Sequence, residues 1–204
     1  MATTDGRAFY SFVSLLRRLG VEFSARLPWE RFEASLVLTT RGEIGDLRGV
    51  RLICYEDLTG DDVLDAALVL SAMSSGREDL LIGVDPGRRI GVVVHYKGRI
   101  VHEGVYRDPG SVAALLRKLL ALRARARTVR LGSGDPERAR AIIREAADVL
   151  GKEYVLELVD ERNTTGGGMR VRRDVEAALR ISRRHGRFAP GPGTFFRGKP
   201  DARA

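Results

Sequence analysis

The chain has 204 residues, 44% of them hydrophobic, and a formal net charge of +8. That length carries one large domain or two small ones with an apolar core, and no uncharged apolar run reaches the roughly 18 residues of a membrane span. The single cysteine, Cys54, excludes an internal disulfide and a cysteine-built zinc cluster.

The opening "MATTDGRAFYSF" has no basic segment ahead of an apolar stretch and no small-residue cleavage site. It is therefore not read as a secretory signal, and a cytoplasmic protein is the expectation. Residues 1–79 read as a small α/β unit. Phe9, Phe12, Val13, Leu16 and Leu19 form a helical stripe closed by Gly20. "VEFSA", "ASLVLTT" and "VRLICY" read as strands, and "DDVLDAALVLSAM" as a helix with acids in its first turn. Cys54 is expected in the core and Trp29 in packing. No active-site signature stands out in this unit, and "SSGRED" reads as a linker.

Residues 80–186 alternate in a different order. Leu80–Asp85 reads as a strand, and Ile90–Tyr96 and Ile100–Tyr106 as two more, joined by a hairpin turn at Gly98. "SVAALLRKLLALRARA" reads as a helix capped by Ser111, "TVRLG" as a strand, and "DPERARAIIREAADVLG" as a helix. The last of these has Asp135 at its cap, Pro136 in its first turn and Gly151 just past its end. "YVLELVD" is a strand and "VRRDVEAALRISRRH" the closing helix. The order β-β-β-α-β-α-β-α predicts an antiparallel meander followed by parallel strands joined through helical crossovers. Residues 187–204 are rich in Pro, Gly and basic residues and read as a mobile tail, where Phe195 and Phe196 either stack on bases or fold back.

Ligand sites in such sheets lie beyond the carboxyl ends of the parallel strands. Asp85 ends the first strand, Asp160 and Glu161 end the last, and Asp174 borders the apolar stripe of the closing helix. Clustered carboxylates repel one another, and divalent cations relieve that repulsion. Mg²⁺ takes a few carboxylates together with waters and phosphate oxygens. Strand-end acids that never converge are the plainer alternative. His95 and His102 read as ordinary sheet residues, and His185 as a positive charge suited to a helix C-terminus.

Charge is unevenly spread: residues 1–80 hold 9 basic and 13 acidic side chains, whereas the chain from Arg162 onward holds 11 basic and 3 acidic. This asymmetry predicts an anionic partner for the C-terminal part, nucleic acid rather than a membrane, with Arg170, Arg172, Arg173, Arg183 and Arg184 as candidate phosphate contacts. The chain has no Gln and Asn163 is its only Asn, and loss of heat-labile amides is one mark of proteins that work hot; the 31 Arg against 4 Lys fit that or a GC-rich genome.

"IGVDPGRRIGVVV" resembles the first strand of the YqgF-like and RuvC-like Holliday-junction resolvases. "LVDERNTT" is similar to the strand end of the YqgF-like branch, and "RRDVEAALRIS" to the closing helix. The resemblance covers residues 80–186 and implies an RNase H-like fold and a metal-dependent nuclease. It implies Asp85, Glu161 (or Asp160) and Asp174 as catalytic ligands of one or two Mg²⁺ or Mn²⁺ ions. It places Arg162, Asn163, Thr164 and Thr165 near the scissile phosphate, and it implies a homodimer. Two departures accompany it. The fourth strand ends in Leu131-Gly132-Ser133, where the RuvC-like members carry an acid, and residues 1–79 lie outside the family pattern. A nucleic-acid-binding module without activity is the second reading. A nucleotide-binding protein of the actin and sugar-kinase type is the third, and it requires two facing domains.

Overall fold

A computed structural model describes residues 1–45, 49–73, 78–160 and 170–189, with only the backbone of 170–172. The chain divides into two compact units, Met1–Arg77 and Glu78–Ala204. None of the described helices is long and apolar enough to cross a membrane.

In the first unit, α1 (Gly6–Arg18) starts where the Asp5 side chain accepts hydrogen bonds from the N–H groups of Arg7 and Ala8. Its apolar stripe buries Ala8, Phe12, Leu15 and Leu16. The strands β1 (Leu36–Thr39) and β2 (Arg51–Cys54) pair in parallel, and α2 (Asp62–Met73) follows. Cys54 is buried as expected. Two sequence expectations fail here. "VEFSA" is not a strand: only Arg26 makes a bridge, to Ala2, and residues 22–25 are exposed. An alternating pattern becomes a strand only when a neighbour accepts its hydrogen bonds and a core takes one of its faces. Trp29 is 71% exposed rather than packed.

A carboxylate latches this unit. Glu43 accepts hydrogen bonds from the Thr3 hydroxyl, from the Thr4 N–H and hydroxyl, and from the Thr40 hydroxyl, at 2.5–2.7 Å. Burial alone would push its pKa up, but these donors to the charged form bring it down to about 2.

The second unit contains β3 (Asp79–Asp85), β4 (Ile90–Tyr96), β5 (Arg99–Tyr106), α3 (Pro109–Leu119), β6 (Ala126–Gly132), α4 (Pro136–Glu145), β7 (Val155–Val159), α5 (Arg170–Arg183) and β8 (Arg187–Phe188). The expected element order is present, with one strand added. The six strands lie in the order β5-β4-β3-β6-β7-β8. Strands β3, β6 and β7 are mutually parallel, while β4, β5 and β8 run antiparallel to their neighbours. The β4–β5 hairpin closes through Lys97 (φ 50°) and Gly98 (φ 78°), the two consecutive positive φ angles of a type I′ turn.

Local chemistry corrects three boundaries. Pro109 at the first helical position makes Asp108, not Ser111, the cap of α3; its side chain accepts from the Ser111 N–H at 2.8 Å. Helix α4 starts at Asp135 and Pro136 as read, but it ends at Glu145, before Gly151. Part of the supposed tail is sheet: Arg187 pairs with Leu158 and Phe188 with Glu157, and Ala189 is buried. Phe195 and Phe196 lie outside the described residues.

Strand parity separates the two faces of the sheet. Ile82, Val84, Val92, Val94, Leu131 and Leu156 are fully buried on the side of α3 and α4. There Tyr96 Oη donates to the Arg123 carbonyl and Tyr154 Oη to the Leu116 carbonyl, each at 2.7 Å. The other side carries Gly83, Asp85, Gly91, His95 and Arg130, and α5 covers it. A Cβ at Gly83 would collide with the Ala178 carbonyl oxygen and with Ser182, so α5 rests on bare strand backbone.

Two predictions follow from this packing. Gly83→Ala must lift α5 and should cost about 2–3 kcal/mol in urea denaturation. The folded pKa of Glu43 lies below its ordinary 4.5, so its contribution is full above that value and fades as pH falls toward 2. The melting-temperature gap between wild type and Glu43→Gln should therefore close as pH drops through that window, and a constant gap would show that the charge is not the latch.

Candidate functional site

Asp85 is the last residue of β3, in the middle of the sheet, and it is half-buried. It pairs across the antiparallel ladder with Gly91 of β4. Directly opposed residues point to the same face with Cβ positions about 5 Å apart. A Cβ added at Gly91 would run into the backbone carbonyl of Asp174. The backbone of Asp174 therefore sits on Gly91, next to Asp85 and on the same face. Two acid-bearing backbone positions 89 residues apart in sequence come together at the end of the central strands. Asp174 is itself half-buried, where the line Asp174–Ala178–Ser182 runs along the seated side of α5.

The third expected acid lies on β7. The register carries Val84 to Leu131 and on to Leu158, so Val159 stands level with Asp85, two strands away or about 10 Å. Asp160 comes one residue later and is exposed. Counting by two from Leu158 puts it toward the side of α3 and α4, away from the Asp85 face. It lines an open cleft of about 570 Å³ with Ser133, Leu158, His185, Gly186 and Arg187. Arg184 Nη1 donates to its carbonyl at 3.2 Å. Glu161, Arg162, Asn163, Thr164 and Thr165 lie outside the described residues, as do the side chains of Arg170 and Arg172. Arg173 and Arg183 are exposed on α5, and Arg184, just past its end, is half-buried. Among the described residues, no three His, Cys, Asp or Glu side chains form a metal-holding group.

Sequence reading missed an ion network under α5. Arg130 of β6 is only 9% exposed. Its Nε donates to Glu157 Oε2 at 2.8 Å, Nη1 to the Ser182 carbonyl at 2.6 Å, and Nη2 to His185 Nδ1 at 3.1 Å. Burial would raise the Glu157 pKa, but hydrogen bonds from Arg130 and the Gly186 N–H hold it below the ordinary value. The signal was present: one charge stands in "TVRLG" and another in "YVLELVD", at positions that the parallel register brings together. A guanidinium only donates, so His185 Nδ1 is the acceptor in this bond and Nε2 is the ring's outward N–H. His95 Nε2 lies 2.9 Å from Ser182 Oγ, and that hydroxyl donates to the Leu179 carbonyl at 2.8 Å. Burial and then the Arg183 charge push the His95 pKa down.

Comparison with protein-family models, curated proteins and solved structures finds no match to this chain.

The Arg130–Glu157 pair, with side chains 10% and 19% exposed, makes a testable claim. Glu157→Ala should destabilise the fold by about 2–4 kcal/mol, because it leaves a buried guanidinium without its counter-charge. The double replacement Arg130→Met with Glu157→Leu should recover much of that loss in urea denaturation. A double variant as unstable as the single would show that Arg130 acts through its other bonds.

Proposed function

We propose that the second unit is an RNase H-like domain that hydrolyses phosphodiester bonds in structured nucleic acid, a DNA junction or a folded RNA, using a divalent metal ion. The observation that carries this reading is the seating of Asp174 on Gly91 beside Asp85. The strand order supports it: the acid-bearing first strand is central, its meander lies to one side, and the crossover strands lie to the other. The basic excess from Arg162 onward supports a polyanionic substrate.

The donor set suits Mg²⁺ or Mn²⁺, which prefer carboxylate oxygens and leave room for water and phosphate. Asp85 and Asp174 would hold the ion. Strand parity turns Asp160 away from that face, and the resemblance would make Glu161 the third acid. Such an ion supplies a nucleophilic water and neutralises charge on the leaving oxygen. The protein's own part is to fix the carboxylates and to hold the substrate. Arg162 would grip a phosphate as a two-pronged donor beside Asn163, Thr164 and Thr165. Arg170, Arg172, Arg173, Arg183 and Arg184 would hold flanking phosphates.

One feature favours a second reading, a binding module without activity: β6 ends in Gly132 and Ser133, with no acid.

Labelled four-way junctions, flaps and folded RNAs incubated with Mg²⁺ or Mn²⁺ separate the two. Asp85→Asn should reduce cleavage by at least about 100-fold while leaving affinity in EDTA unchanged. Salt-dependent binding without Asp85-dependent cleavage of any substrate would establish the binding module instead.

A further inference from the structure

We propose that the cleft beyond the ends of β6 and β7 is a second backbone-phosphate subsite, which holds a phosphate neighbouring the one placed at Asp85. This rests on the nucleic-acid reading above and names residues outside the carboxylate cluster: His185, Arg187 and Ser133.

The cleft is built from the buried side outward. Arg130 is anchored by Glu157 and by the Ser182 carbonyl, and its third bond fixes the His185 ring through Nδ1. The remaining ring nitrogen, Nε2, then carries the proton and is a donor. His185 lines the cleft, so an oriented N–H donor stands at its wall. Arg187 supplies an exposed guanidinium from β8, where pairing with Leu158 fixes its backbone. Ser133 adds a hydroxyl from just past β6, and its own N–H is tied to the Val159 carbonyl at 3.0 Å. An imidazole N–H, a hydroxyl and a two-pronged cation suit the oxygens of a phosphodiester.

One acid opposes this. Asp160 lines the same cleft as Arg187, and Arg184, which donates to the Asp160 backbone carbonyl at 3.2 Å, adds a second cation beside the cleft. The volume of about 570 Å³ admits a nucleotide-sized group. The cleft lies at the end of the sheet level with Asp85, but Leu158, Asp160 and Arg187 stand on the opposite face from it, two to three strand spacings, or about 10–14 Å, across the sheet. A nucleic-acid strand passing over the ends of β3, β6 and β7 would meet both places.

The test is fluorescence anisotropy of the full chain with a labelled junction and a labelled RNA hairpin, in EDTA so that nothing is cut, across a salt series. Arg187→Gln should weaken binding about 3- to 10-fold and lower the salt slope by about one. Ser133→Ala, which leaves the Arg130 network untouched, should weaken binding about 2- to 3-fold without changing the slope, because a neutral donor releases no counterion. Asp160→Asn should tighten binding. Arg107→Gln, an exposed arginine just past β5 at the opposite edge of the sheet, should match wild type. Wild-type affinity and slope in Arg187→Gln, or an equal loss in Arg107→Gln, would overturn the subsite and leave the carboxylate site standing. Inorganic phosphate that binds through Arg187 without competing with nucleic acid would overturn it too, as a small-anion site. No binding by wild type would overturn both readings. Cleavage that survives Asp85→Asn, alongside binding lost in Arg187→Gln, would overturn the carboxylate site alone.

Discussion

The close approach of α5 to the sheet is the constraint on which the second unit depends. Side chains normally keep a helix about 10 Å from a sheet, and here two of them are missing. Gly83 and Gly91 leave the strand backbone bare beneath Asp174, Ala178 and Ser182. Because α5 lies so low, a residue on its seated side reaches the end of a central strand. Any side chain at Gly91 would meet the Asp174 backbone and move that acid away from Asp85. The approach of the Asp174 backbone to the end of β3 is thus set by what the sheet lacks as much as by what the helix presents.

Absence of bulk allows the approach but does not hold it. The holding is done at the other end of α5 by buried polar groups, and it is demanding. A guanidinium moved out of water costs several kcal/mol unless its donors are all used. Arg130 goes most of the way: each of its three nitrogens has a partner, in Glu157, the Ser182 carbonyl and His185. These partners lie on β7, on α5 and just past the end of α5, and Glu157 also takes the Gly186 N–H ahead of β8. One side chain therefore ties four elements together. Its bond to His185 also decides which imidazole nitrogen keeps a proton, so a stabilising contact sets the hydrogen-bonding character of a surface ring.

Where the sequence could be read, local chemistry was decisive. The meander was legible to within a residue because β3 and β4 are largely apolar runs and its turn needs two positive φ angles, which Lys97-Gly98 provides. Asp135 was legible because Pro136 follows it. The same logic applied to Asp108-Pro109 yields the α3 cap, and Ser111 attracted attention only because serine also caps well. "VEFSA" failed because strand propensity says nothing about whether a partner strand exists. Gly83 and Gly91 sat inside good strand patterns and passed as composition, although a mid-strand glycine is a recognised mark of close backbone approach. Asp174 was legible as a margin residue of its helix, but its distance from Asp85 depended on those glycines.

The end of the sheet carries two chemistries. On the α5 side of β3 stand Asp85 and the backbone of Asp174, and beyond β6 and β7, toward the other face, stand an arginine, a histidine N–H and a hydroxyl. Carboxylates alone would repel a polyanion, so in the proposed reading a metal ion must screen them before a phosphate can approach. Cations alone would bind the polyanion without regard to register. With the two groups two to three strand spacings apart, about 10–14 Å, a phosphate held in the cationic cleft would limit where the chain passes over the acids. Binding energy collected away from the reacting bond is then available for placing that bond. The added strand β8 has its role here: it supplies Arg187, and it closes the cleft on the side where the parallel strands would otherwise end in solvent.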